Sequence, residues 1–285
     1  MISSPLLILA LFFPIITTHA SNFPVKIIAH RGASACAPEN TLAAFKLALE
    51  MGADGIELDV HLSADSRLMV IHDPHTGRTS NKQLNIAETQ SAELRTLDVG
   101  VWRGEAWQGE MIPFLEEALS LVPQNKHLFI ECKSKNPQAF LSALNQLWEK
   151  HEERLRSSTF ISFHAPILIA LKEENPHLTT LLLVEDLHTL EKYIHRASTQ
   201  AHALFDGIGI DETLPIDEAF IQSIKEHSHI LSAWTVNTPQ KAKDYHTWGF
   251  HYITTDKPDL IRAALIQLNE ALVPADTGNA QPRHL

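Results

Sequence analysis

The chain is poor in cysteine and in glycine, has no cluster of basic residues, and holds one long apolar run. Among its 285 residues are two cysteines, Cys36 and Cys132, which allow at most one bridge, and the sequence does not pair them. Cys132 lies between Glu131 and Lys133 in a predicted strand, so its side chain points to the opposite face, toward a helix layer, and reads as a buried free thiol. The 11 glycines and 15 prolines follow no period, and 44% of residues are hydrophobic, which excludes fibrous and disordered classes. Lys and Arg total 23 against 34 Asp and Glu, a net charge of −11 with no basic run, which argues against nucleic acid as a partner.

The one apolar run, Pro5 to Ile16, is too short to span a bilayer and has the length of a signal-peptide core. Residues 1–20 read as a secretory signal cleaved after Ala20, with Thr18 and Ala20 as the small residues of the cleavage site. The leader lacks the usual Lys or Arg, which leaves an uncleaved N-terminal anchor as the alternative. The expected product is a periplasmic or secreted protein without stable membrane insertion. Residues 273–285 lack any apolar period and are expected to form a disordered tail.

Between these ends, short apolar runs alternate with helical patterns, without a composition break that would mark a linker. Strands are expected at 25–30, 54–60, 127–132, 159–164, 179–184, 206–210, 231–236 and 251–255. Helices are expected at 41–51, 114–121, 137–151, 166–174, 187–197, 217–228, 239–246 and 258–271, the first with Leu42, Phe45 and Leu49 on one face and Gly52 just past its end. Eight β/α units within residues 21–272 is the pattern of a TIM (β/α)8 barrel of the α/β class. A doubly wound open sheet is the alternative, but no glycine-rich dinucleotide turn follows the first strand. Leu68 to Asp73 reads as an extra strand, too close to the preceding one for a parallel crossover. It is expected to form a hairpin whose turn, centred between Ala64 and Asp65, sets His72 opposite Glu57. Residues 74–112, with Trp102 and Trp107, form a small insertion after the His72 strand, expected to be irregular and either functional or mobile.

Glu57 and Asp59 are two apart on a strand and share a face, while Ile56, Leu58 and Val60 suit a helix-covered exterior. Glu131 and Lys133 repeat the spacing on a later strand near its C-terminal end, where such barrels build their sites. Three carboxylates without a thiolate or a His-x-x-x-His pair favour one hard divalent cation, Ca²⁺ or Mg²⁺. The plainer reading of these acids is exposed strand carboxylates paired with Arg31 and Lys133. His30 and His72 end predicted strands beside the same carboxylates, and two imidazoles flanking a metal suit general acid and general base. In a chain with 17 histidines either one alone would carry little weight. Arg31 and Lys133 suit an anionic oxygen, which with the cation points to a phosphate ester.

Seven segments extend this pattern: His30-Arg31-Gly32, Pro38-Glu39-Asn40-Thr41, Gly52 to Val60, Val70-Ile71-His72-Asp73, Ile130-Glu131-Cys132-Lys133, Ala233-Trp234-Thr235-Val236-Asn237 and Thr255-Asp256-Lys257-Pro258. In order and spacing they resemble the glycerophosphodiester phosphodiesterase family. The resemblance implies a TIM-barrel hydrolase that cleaves small glycerophosphodiesters, such as glycerophosphocholine or glycerophosphoethanolamine, to sn-glycerol 3-phosphate and an alcohol. It implies a metal on Glu57, Asp59 and Glu131, proton transfer by His30 and His72, phosphate contacts from Arg31 and Lys133, and Trp234 in the pocket wall. One departure is Ser63-Ala64-Asp65-Ser66, where the family has a glycine-ended turn. Two other readings are carried forward: a lysophospholipase D-like enzyme acting on single-chain lipids, and a non-catalytic glycerophosphodiester-binding protein.

Overall fold

The computed structural model describes residues 25–199, 205–226 and 230–272. The expected signal segment, the C-terminal tail and the end of the 217–228 helix lie outside the described residues. The chain alternates as anticipated: β1 (Lys26–Ala29), α1 (Leu42–Glu50), β2 (Gly55–Leu62), β3 (Leu68–Val70), α2 (Ser91–Leu94), α3 (Leu115–Leu121), β4 (His127–Cys132) and α4 (Pro137–Arg156). It continues with β5 (Thr159–Ser162), α5 (Ala165–Glu174), β6 (Thr179–Val184), α6 (Leu187–Thr199), β7 (Gly207–Asp211), α7 (Glu218–Lys225), β8 (Ile230–Trp234), α8 (Pro239–Thr247), β9 (Tyr252–Thr255) and α9 (Pro258–Leu272). Neighbouring strands other than β3 pair in parallel, and β1 pairs with both β2 and β9, so eight parallel strands close into a barrel. Closure excludes the open doubly wound sheet. No helix among the described residues is long and apolar enough to cross a membrane.

Alternation along the strands separates two cores. Ile56, Leu58 and Val60 are fully buried against the helix layer together with Cys132, as their strand parity requires. Both cysteines are free thiols, Cys132 buried and Cys36 exposed. The barrel interior is filled by Ile28, Phe129, Ile161, Leu181 and Leu183, which make an apolar floor beneath the C-terminal strand ends. In α1, Phe45 is fully buried while Leu42 and Leu49 are partly so, because Ala44 and Ala48 let the helix pack closely. Gly52 follows at φ 84°, the left-handed position that ends the helix.

The extra strand is the antiparallel arm of a hairpin, but its register differs from expectation by one residue. Val60 pairs with Val70, His61 with Met69 and Leu62 with Leu68, so the turn is centred on Asp65, and Glu57 is not opposite His72. The loop has an odd number of residues: Ser63 and Arg67 face each other across it, and Ser66 takes a left-handed φ of 59°. Ser66 thus fills the position where a glycine would be unstrained, and Asp65 ties the turn to the insertion by accepting hydrogen bonds from the Ser91 N–H (2.8 Å) and hydroxyl (2.6 Å). A side chain in the left-handed region costs ~1–2 kcal/mol against ~0.5–1 kcal/mol for the added freedom of glycine. Ser66→Gly is therefore expected to raise stability slightly, by up to about 1 kcal/mol in chemical denaturation. A lower midpoint would contradict this account of the turn.

Val60 pairs with Val70 on one edge and Cys132 on the other, so β3 runs along the edge of β2 that β1 borders lower down. The insertion that follows is ordered rather than loose. Ile86, Leu94, Leu97, Val99 and Ile112 form a small core with Met69 and Ile71, and the segment includes α2 and three short 3₁₀ turns.

Candidate active site

The barrel register brings the acidic residues together. Asp59 on β2 is level with Glu131 on β4, and Glu57 lies one alternation below Asp59. One oxygen from each of the three carboxylates lies within 4.8 Å of the others, and all three side chains are buried. The expected pairing with Arg31 and Lys133 is present, yet the carboxylates are not exposed as the plainer reading required. Lys133 Nζ sits 3.0 Å from Asp59 Oδ1 and 2.6 Å from Glu131 Oε1, and Arg31 Nε lies 3.2 Å from Asp59 Oδ2. The Arg31 N–H donates to Glu57 Oε2 at 2.9 Å.

Three buried carboxylates thus face two cations, and their proton affinities diverge. Burial and then the charges of Asp59 and Glu131 raise Glu57 well above the usual carboxylate range. Burial and then Asp59 push Glu131 up to about 8. Burial would raise Asp59 too, but Lys133 and then Arg31 override it and hold that carboxyl well below the usual range. With all three carboxylates ionised, Arg31 and Lys133 would leave negative charge uncompensated, and the donors are oxygens alone, so the set fits a hard divalent cation.

His30 and His72 follow β1 and β3, one residue past Ala29 and two past Val70. His72 reaches the site because the chain leaves the hairpin ladder after the Ile71 N–H bonds to the Asp59 carbonyl (3.0 Å), not because it pairs with Glu57. Each imidazole is held through Nδ1 by a carboxylate: His30 by Asp256 Oδ1 and His72 by Asp73 Oδ1, both at 2.7 Å. That leaves Nε2 of each ring for chemistry. Burial is the largest influence on His72 and lowers its proton affinity, with Asp59 pulling the other way. Asp256 also accepts from Ser34 Oγ (2.8 Å) and Asn237 Nδ2 (2.6 Å), a network that fixes its orientation.

A cavity of about 230 Å³ opens above the apolar floor, lined by His30, Arg31, Glu57, His72, Glu131, Lys133 and Trp234 among others. The structure therefore brings every expected site residue to one place, with Asp59 in the wall just behind this lining. Trp234 meets Phe163 edge to face at 5.4 Å in the cavity wall. The turn carrying Arg31 is forced by Gly32 at φ 82°, where a side-chain carbon would lie 2.6 Å from the Ala44 carbonyl carbon of α1.

Several residues of the site were not identified from sequence as participants. Asn40 donates to Asp59 Oδ2 at 2.7 Å, and its own Oδ1 accepts from the Asp59 N–H at 3.3 Å. Glu39 holds Arg31 Nη1 at 2.9 Å. His61 bonds through Nε2 to the His72 carbonyl at 2.8 Å. The adjacency of Asp73 to His72 was a usable signal, whereas Asp256, quoted only within the Thr255-Asp256-Lys257-Pro258 segment, lies 226 residues from His30, and nothing local pairs the two.

Comparison with known proteins agrees with this geometry. A model of the glycerophosphoryl diester phosphodiesterase family matches residues 30–260. A Bacillus subtilis protein provisionally named a glycerophosphodiester phosphodiesterase is 35% identical over 236 residues, covering 82% of this chain and 96% of its own. A glycerophosphodiester phosphodiesterase of Caldanaerobacter subterraneus is 33% identical over 242 residues, covering 82% of this chain and 95% of its own. A solved phosphodiesterase from Oleispira antarctica, in complex with the product sn-glycerol 3-phosphate, superposes with a TM-score of 0.77 at 29% identity over 87% of this chain and 99% of its own. With its closed barrel, its gathered acids and histidines and these matches, the chain belongs to the glycerophosphoryl diester phosphodiesterase family and is an enzyme of that class.

Proposed function

We propose that the protein is a metal-dependent phosphodiesterase that hydrolyses small glycerophosphodiesters, such as glycerophosphocholine and glycerophosphoethanolamine, to sn-glycerol 3-phosphate and an alcohol. The observation that carries this reading is the carboxylate trio flanked by two histidines, each held at Nδ1 by a carboxylate, around one cavity. The sn-glycerol 3-phosphate bound to the Oleispira relative supports the product assignment.

Glu57, Asp59 and Glu131 would hold one divalent cation, Ca²⁺ or Mg²⁺, which when bound supplies Lewis-acid stabilisation of charge on the phosphoryl oxygens. The protein's own groups answer the two difficulties of the reaction. A phosphodiester carries a negative charge that repels a nucleophile, and Arg31 and Lys133 at the cavity wall offset it. The alkoxide leaving group is poor and has to be protonated as it departs. One Nε2 removes the proton from the attacking oxygen, water or the glycerol 2-hydroxyl, and the other donates a proton to the leaving alcohol. Asp256 and Asp73 hold the two rings in the tautomer that leaves Nε2 free and stabilise each imidazolium as it forms.

Glu185, Phe163 and Trp234 also line the cavity, a carboxylate and two aromatic side chains of the kind that suit the cation of choline or ethanolamine. A cavity of about 230 Å³ suits such a diester better than a lipid with an acyl chain, which counts against the lysophospholipase D-like reading. The non-catalytic binding reading falls with the family assignment. Phosphorus NMR of glycerophosphocholine incubated with the purified protein tests the reaction: sn-glycerol 3-phosphate is expected, and phosphocholine as product would place the cleaved bond on the wrong side of phosphorus.

The same proposal places the enzyme outside the cytoplasm, on the strength of the uncharged apolar leader. The mature chain is expected to begin at Ser21 in an exported fraction. A soluble cytoplasmic protein beginning at Met1 would contradict this placement.

A further inference from the structure

Arg78 belongs to the insertion and bonds to neither histidine, to Arg31, nor to any of the three clustered acids, yet its guanidinium joins two parts of the site. Nη1 and Nη2 donate to Glu39 Oε2 and Oε1, each at 2.7 Å. Nε and Nη2 donate to Asp73 Oδ2 and Oδ1 at 2.7 and 3.2 Å. Both carboxylates also reach into the site: Glu39 Oε1 accepts from Arg31 Nη1 at 2.9 Å, and Asp73 Oδ1 bonds His72 Nδ1 at 2.7 Å. The turn bearing Arg78 is itself fixed, since the Thr76 N–H bonds to the Leu84 carbonyl (3.0 Å) and the Ser80 N–H to the Thr76 carbonyl (2.9 Å).

We propose that Arg78 is a positioning residue for hydrolysis, one planar fork that sets His72 and Arg31 relative to each other through Asp73 and Glu39. The proposal rests on the reading of the site given above. Without the fork, Asp73 can turn toward solvent and give up its hydrogen bond to the His72 ring, and Glu39 loses the partner that orients it toward Arg31. The geometry requires a guanidinium, because a lysine supplies the charge at one point and cannot bond both oxygens of two carboxylates. Arg78 is 44% exposed, so its ion pairs add little to stability, and its loss is expected in turnover rather than in unfolding.

The test compares Arg78→Ala and Arg78→Lys with the unaltered protein and with His72→Ala, all with saturating metal and glycerophosphocholine. Arg78→Ala is expected to lower kcat by about 10-fold or more, the scale of a small misplacement of reacting groups, with KM changed far less. Arg78→Lys is expected to recover only a minor part. Low-millimolar guanidinium chloride should restore much of kcat to Arg78→Ala, while the same concentration of sodium chloride should not. The melting temperature should stay within a few degrees in both variants. Full activity of Arg78→Ala beside an inactive His72→Ala would overturn this proposal alone; full activity of both would overturn the site reading on which it rests. Complete recovery by lysine would reduce Arg78 to a point charge, and a lowered melting temperature without guanidinium rescue would make it a structural residue; either result overturns the proposal.

Discussion

Replacing His30 or His72 by alanine is expected to lower kcat by about 10²-fold or more, because each substitution removes one half of an acid/base pair. The geometry gives the two rings equivalent support: Nδ1 of each lies 2.7 Å from a carboxylate oxygen, and both line the same cavity. Metal affinity should change little, since neither ring is assigned to the cation. Groups that act as a unit are not additive, so the double variant should lose less than the product of the single losses. A substrate with a much better leaving group separates the roles. The variant lacking the general acid should recover substantially, because its proton is no longer needed, and the variant lacking the base should not. Steady-state kinetics on both substrates is the measurement. If neither single substitution reduces turnover beyond about threefold, far short of the usual acid/base contribution, the chemistry has to be assigned to other residues.

How much of this was legible beforehand follows from the range of the forces involved. The β/α alternation is written in local periodicity, and each expected strand and helix has its counterpart among the described residues, although the helix expected at 137–151 runs on to Arg156 and the expected end of the 217–228 helix lies outside the described residues. Strand parity alone placed Glu57 and Asp59 inward and Ile56, Leu58 and Val60 outward. The hairpin register was missed because it depends on whether the turn centres on a residue or between two, and Ser66 at φ 59° decided that in favour of Asp65. The insertion reads as irregular because Ile86, Leu94, Leu97, Val99 and Ile112 follow no single period, although they converge on the Met69 face of β3, opposite Leu68 and Val70. The long-range contacts that orient the site were illegible for a related reason. Asp256 meets His30 only because β9 closes the barrel against β1, a contact with no local trace in the sequence. Arg78 and Glu39 are 39 residues apart and meet only when the insertion folds back over the turn after β1.

The second large effect concerns the cation. Glu57, Asp59 and Glu131 lie on two neighbouring strands, buried, and are paired with the cations of Arg31 and Lys133. Buried charge of this kind is poorly tolerated, and a divalent cation held there would relieve it while adding stabilisation for the phosphoryl oxygens. Asp59→Asn and Glu131→Gln each remove a formal charge at nearly constant shape. Each is expected to weaken the apparent affinity for Ca²⁺ or Mg²⁺ by about 10-fold or more, on the scale of one lost ion contact of ~1.4 kcal/mol or above. Turnover at limiting metal should fall with it. Unchanged metal dependence in both variants would remove them from the ligand set.

The most direct measurement of the whole account is the hydrolysis of glycerophosphocholine by the purified protein before and after exhaustive dialysis against EDTA, followed by addition of Ca²⁺ or Mg²⁺. The account predicts release of sn-glycerol 3-phosphate by the untreated enzyme, loss of that activity on chelation, and its return with one of the two ions. Full turnover in the chelated protein would contradict the assignment of Glu57, Asp59 and Glu131 as the ligands of a required metal.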